Sequence, residues 1–149
     1  MSSPVPPQQI GALLRFLLND VRARIYEGVV AAGFDDLRPA HVTLFRWPGP
    51  DGRRPTEIAA DAQVTKQAVN DLLRDLEERG YLERHPDPTD SRARIVRLTP
   101  RGKRLHKVAL GIHAGVEDEW ASELGHRDFG KLRDQLGRLA ERTSSPAPR

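Results

Sequence analysis

Apolar residues recur at three- and four-residue steps through Ile10, Leu13, Leu14, Leu17, Val21 and Ile25, the periodicity of one amphipathic helix ending near Gly33. Its apolar face is too extensive to stand alone in water. Leu37-Arg38-Pro39 starts a second, short helix through about Arg46, with Pro39 suited to the first turn. The run Trp47-Pro48-Gly49-Pro50-Asp51-Gly52 stops it. Thr56 reads as the N-cap of a third helix, Glu57 to Ala62, whose positive dipole end suits the Glu57 carboxylate. Gln63-Val64 forms a turn that Val64 can plug. Thr65 then caps a helix over about Lys66 to Arg79, and Gly80 ends it where a left-handed residue is favoured. Tyr81 to His85 and Arg94 to Leu98 alternate as strands do, joined by the loop Pro86-Asp87-Pro88-Thr89-Asp90-Ser91. Thr99-Pro100 opens a long helix with Leu105, Val108, Ile112, Val116 and Trp120 on one stripe. A last helix carries Phe129, Leu132, Leu136 and Leu139 after a break at Gly125.

The predicted fold is mainly α with a small β-hairpin. Two short helices across a tight turn, followed by a hairpin, spell a winged helix-turn-helix over residues 37–99, with helices at 8–33 and 100–142 forming a separate dimerisation lobe. The 149 residues suit one domain. Pro4, Pro6 and Pro7 at one end and Ser144 to Arg149 at the other read as frayed termini.

Composition removes several function classes. With no cysteine there is no disulfide, thiolate metal site or thiol redox sensor. No apolar run approaches the ~20 residues needed to span a bilayer, and the Ser/Pro-rich start is no signal peptide, so a cytoplasmic protein without a membrane partner is expected. His41, His85, His106, His113 and His126 fall in different elements, except that His106 and His113 share one without a matching acidic ligand. No G-x-S-x-G, P-loop or paired-carboxylate site is present. No catalytic residue, metal or cofactor is assigned, and no enzyme activity is expected. Net charge is only +3, so the placement of charge matters more than its sum.

Placement points to duplex DNA. In the helix from Lys66, Val69, Leu72, Leu73 and Leu76 must face the core, leaving Lys66, Gln67, Asn70, Asp71 and Arg74 outside. Gln and Asn pair bidentately with adenine, and Arg and Lys with guanine, in the major groove. Small Ala59 lets the preceding helix approach closely. Arg92 and Arg94 flank the hairpin tip, from which an arginine can enter the minor groove or meet phosphate. Asp90 is placed to hold the Arg92 guanidinium by a bidentate pair; the plainer reading is a turn aspartate.

The segment VTKQAVNDLLRDLEERGYLERHPDPTDSRARIVRLTPRGK resembles the multiple antibiotic resistance regulator (MarR) family in its recognition helix, D-x-R wing and L-T-x-x-G helix start. The resemblance is specific over roughly residues 55–103, and the flanking helices agree in order and length. It implies a dimer that binds pseudo-palindromic operators, usually represses transcription, and often releases DNA on binding a small aromatic or anionic ligand. By resemblance Thr65, Lys66, Gln67, Asn70 and Arg74 are helix contacts, Asp90 and Arg92 are the wing pair, and Thr56 and Arg94 complete the DNA-binding set. Asp71 departs from the family pattern; it can accept from cytosine N4 or pair with Arg74 at helical spacing.

The first helix and the last two carry apolar stripes that the small winged core cannot cover, with Leu13, Leu17, Trp120, Phe129, Leu132 and Leu136 as candidates for burial against a second copy. Packing within the chain accounts for some of them. In the resembling family, ligands lodge between the dimerisation helices and the winged lobe. The nearby candidates are Arg22, Tyr26, His41, Arg46 and Trp47, although His41 also reads as a hydrogen-bonded structural residue and Trp47 as core. Two other classes compete: a winged-helix protein-interaction module using Asp71, Asp75, Glu77 and Glu78, and a nonspecific architectural DNA binder.

Overall fold

The computed structural model describes residues 9–44 and 51–144. The chain divides into two compact units, Met1–Ile112 and His113–Arg149.

In the first unit, helix α1 spans Ile10–Ala31 and ends at Gly33, whose φ of 100° suits a residue without Cβ. Only the later part of its apolar stripe is buried, at Val21, Ile25 and Val29. The earlier part is open, with Ile10 70% and Phe16 49% exposed. Pro39–Leu44 is a 3-10 helix rather than an α-helix; the His41 N–H reaches Arg38 O three residues back, at 3.0 Å. Its expected end near Arg46 lies outside the described residues.

Helix α2 is Pro55–Ala62. It begins earlier than Thr56 would allow, because Pro55 takes the first position and Arg54 becomes the N-cap. Glu57 reaches back to accept the Arg54 N–H at 3.0 Å, and Thr56 stands exposed within the first turn. Gln63 adopts a left-handed turn at φ 55°. Val64 is 36% exposed and does not plug that turn; Ile58, Ala59 and Val69 are buried in the same region. Thr65 caps α3, Lys66–Glu78, its hydroxyl accepting the Ala68 N–H at 3.2 Å. Leu73, Leu76, Tyr81 and Leu82 continue the core into the hairpin.

The wing is longer and its loop shorter than the alternation predicts. Strand β1 is Leu82–Asp87, β2 is Asp90–Leu98, and only Pro88 and Thr89 lie between them. The antiparallel register pairs Leu82 with Leu98 and Pro86 with Arg94, then slips so that Asp87 faces Asp90, leaving residues 91–93 as a bulge. Asp87 tightens the turn by accepting the Thr89 N–H at 2.8 Å. Arg53 adds a backbone bridge to Val96 on the outer side of β2.

Helix α4, Pro100–Leu124, starts in the first unit under a Thr99 cap, whose hydroxyl accepts the Gly102 N–H at 3.1 Å. In the second unit Gly125, at φ 85°, separates the end of α4 from α5, His126–Ser144. There Val116 and Ala121 are buried, Trp120, Phe129 and Leu136 half-buried, and Leu124, Leu132 and Leu139 exposed. Among the described residues no helix is long and apolar enough to cross a membrane.

Candidate nucleic-acid interface

Core packing of Val69, Leu73 and Leu76 turns the opposite face of α3 to solvent. Thr65, Lys66, Gln67 and Arg74 are exposed along it, and Asn70 is half-buried. Asp71 takes the second of its two expected partners: its Oδ1 lies 3.5 Å from an Arg74 terminal nitrogen. Both side chains are well exposed, so the pair stabilises little and leaves Arg74 able to exchange a carboxylate for phosphate.

Of the other acidic residues of α3, Glu78 is exposed, whereas Asp75 and Glu77 face inward or towards the wing and are paired. Asp75 Oδ2 receives the Arg38 guanidinium and, at 2.8 Å, His41 Nε2, while Oδ1 receives Arg79 Nε at 2.7 Å. Burial opposes ionisation of Asp75, but hydrogen bonds from Arg79, Arg38 and His41 together outweigh it and hold its carboxyl at about 2. Glu77 pairs with Arg84 at 3.0 Å. These pairs remove two of the carboxylates that an acidic protein-docking face would need.

On the wing, Asp90 does not hold the Arg92 guanidinium. Its Oδ1 accepts the Arg92 backbone N–H at 3.0 Å, the geometry of a turn aspartate, because two residues of chain bring the amide closer than the side-chain tip. The Arg92 and Arg94 side chains are exposed, Arg92 within the bulge.

The wing's charged anchor is a pair the sequence does not reveal. Asp87, 7% exposed, accepts Arg54 Nε at 2.6 Å and the Thr89 hydroxyl at 2.7 Å. Hydrogen bonds from the Thr89 backbone and hydroxyl, then from Arg54, hold its carboxyl down at about 2. Arg53 similarly reaches Asp61 at 2.7 Å on α2. Asp87 between two prolines reads only as a turn residue, and its partner lies 33 positions away. The one local signal is Arg54 directly before Pro55.

The effector candidates are less gathered. His41 is fully buried; its Nδ1 accepts the Arg38 N–H at 3.0 Å and its Nε2 meets Asp75, so both ring nitrogens are engaged within the protein. The Tyr26 hydroxyl donates to Leu37 O at 3.3 Å. Arg22 is half-buried one turn earlier on α1. Arg46 and Trp47 lie outside the described residues. Among the described residues no histidine and carboxylate group is arranged to hold a metal.

A family model described as MarR family matches residues 46–93. The HTH-type transcriptional repressor Mb2911 of Mycobacterium bovis is 32% identical over 89 residues, 58% of this chain and 64% of that protein, so the match spans slightly under two thirds of the relative. The crystal structure of MarR superposes with a TM-score of 0.70 at 28% identity, covering 90% of this chain and 96% of that one. CouR from Rhodococcus jostii RHA1, solved bound to p-coumaroyl-CoA, shares the fold with a TM-score of 0.73 at 24% identity over 93% of this chain and 96% of its own. These relatives are regulators of transcription, not enzymes. Helix-turn-helix, bulged wing and flanking helices thus agree with sequence and structural likeness, and the chain is similar to the MarR family of winged-helix, DNA-binding transcriptional regulators.

Proposed function

We propose that this protein is a homodimeric repressor that reads a pseudo-palindromic operator in the cytoplasm and lets go of it when a small aromatic or anionic ligand binds. The observation that carries the DNA reading is the pairing of an exposed row on α3, Lys66, Gln67 and Arg74, with Arg92 displayed on the wing's bulge. Lys66, Gln67, Asn70 and Arg74 meet base edges in the major groove, and Thr56 and Thr65 donate hydroxyls to phosphate. Arg92 enters the minor groove with Arg94 beside it, and Asp90 shapes the turn that carries Arg92.

Dimerisation is supported by the open apolar positions of the first and last helices, Ile10, Leu14, Phe16, Leu17 and Leu18 on α1 and Leu132 and Leu139 on α5. A two-fold pair sets its two recognition helices about 34 Å apart, one turn of DNA. For the effector, CouR's p-coumaroyl-CoA sets the chemical precedent: an aromatic acyl group on an anionic carrier. Arg22 and Arg46 suit its charge and Tyr26 and Trp47 its ring. His41 serves instead to hold the α3 network, since both its nitrogens are taken.

The test separates the two reading devices. On a palindromic duplex selected by the parent protein from random-sequence DNA, Arg92→Ala is expected to weaken binding and reduce the log-log salt slope by about one unit. Asn70→Ala is expected to leave the slope alone and relax base preference at one position in each half-site. Parental binding by both variants would contradict the docking geometry. A thermal-shift screen with phenolic and other aromatic acids probes the ligand half of the proposal.

A further inference from the structure

The wing is fastened at two levels to the residues that lead into α2, Arg53 and its N-cap Arg54. Near the end of β2, the Arg53 N–H donates to Val96 O at 3.1 Å and the Val96 N–H returns to Arg53 O at 2.8 Å. Beyond that bridge Ile95 is still buried, but past it the hairpin narrows to a two-stranded ribbon, which is marginal in water without further support. The second fastening lies at the turn itself. Asp87 Oδ1 accepts both the Thr89 N–H and the Thr89 hydroxyl, and Oδ2 accepts Arg54 Nε at 2.6 Å. An Arg54 terminal nitrogen also reaches the Thr89 hydroxyl at 3.5 Å. Arg54 is the N-cap of α2, so its side chain starts from the first helix of the reading motif. The register slip falls between Pro86 and Asp87, and the bulge it creates contains Arg92. One carboxylate therefore closes the turn with one oxygen and ties it to the helix with the other.

We propose that Asp87, held by Arg54, is the positioning residue of the wing: it sets where Arg92 stands relative to α3 and so governs the wing's grip on DNA. Asp90 orders only its own turn, whereas Asp87 connects that turn to the reading motif. The inference rests on the DNA reading proposed above.

The chain has no cysteine, so Ser91→Cys gives one attachment point for a nitroxide in the bulge. In the DNA-free protein, Asp87→Asn and Arg54→Gln are each expected to raise nitroxide mobility at residue 91, and Arg54→Lys to restore part of the order. Near-ultraviolet circular dichroism should stay native throughout. On the duplex selected by the parent, Asp87→Asn is expected to weaken binding about tenfold, and Arg92→Ala to cost less than about twofold more in that background, because coupled residues are not additive. A merely stabilising Asp87 would leave the two losses additive. Unchanged mobility together with additive losses would overturn the proposal. Raised mobility with no cost of Arg92→Ala in the parent would sustain the hold of Asp87 on the wing and overturn the wing's contact with DNA.

Discussion

Replacing Gly102 with alanine is expected to destabilise the protein by roughly 3 kcal/mol, the upper range for forcing extra volume into a packed site. Gly102 sits in the first turn of α4, its N–H given to the Thr99 hydroxyl. A Cβ there would stand 2.0 Å from the carbonyl oxygen of Tyr81 and 3.1 Å from Leu98 Cδ2. The first obstacle is backbone, and it is fixed: Tyr81 O accepts the Thr99 N–H at 3.1 Å, joining the start of the wing to the start of α4. No rotamer change relieves the clash, so one of two anchored segments must shift. The control lies on the same helix. A methyl group at Gly111 would meet nothing within 4 Å, and Gly111→Ala should stabilise the helix by up to about 1 kcal/mol. Urea unfolding distinguishes them; equal midpoints for Gly102→Ala and the parent would show that the junction is not tight.

Asp75→Ala is expected to cost roughly 2–3 kcal/mol, chiefly because it strands a buried donor. His41 Nδ1 accepts a backbone N–H, which assigns the ring proton to Nε2 and directs it at Asp75. Arg38 and Arg79 can return to water after the substitution, but the fully buried imidazole cannot. The same arrangement makes stability depend on pH. Burial lowers the pKa of His41 from 6.5 against the pull of Asp75, so below pH 6.5 the unfolded chain takes a proton that the folded one refuses. Stability therefore falls as pH drops through that window. Asp75 follows lower down: with its carboxyl at about 2 rather than 3.8, its contribution is present above pH 3.8 and is lost as pH falls towards 2. A thermal midpoint that stayed flat from about pH 7 to pH 4 would contradict this.

The sequence made the reading helix legible because its signals are local. Apolar spacing at Val69, Leu73 and Leu76, the Thr65 cap and the Gly80 stop all act within a few residues, and the Asp71–Arg74 pair follows from helical spacing alone. The L-T-x-x-G start of α4 was visible as a motif, but the reason for its glycine, the Tyr81 carbonyl, is a tertiary contact. Where local rules compete, the outcome is set by geometry that a pattern does not contain. Pro55 displaced Thr56 from the cap. Side-chain hydrogen bonds from nearby amides to Asp87 and Asp90 tightened a six-residue loop to two residues and turned Asp90 away from the Arg92 guanidinium. The Arg54–Asp87 tie, the Asp75 hub and the burial of His41 join positions more than thirty residues apart, and periodicity carries no trace of them.

The most direct test of the central claim, that α3 and the wing of a dimer read duplex DNA, is a titration of the selected palindromic duplex across about 50 to 200 mM salt, with stoichiometry measured in parallel. The expected result is two chains per duplex, strong preference over a scrambled duplex, and a log-log slope near −7, as neutralising about 8 phosphates requires. Binding that is flat in salt, or equally tight on the scrambled duplex, would contradict it.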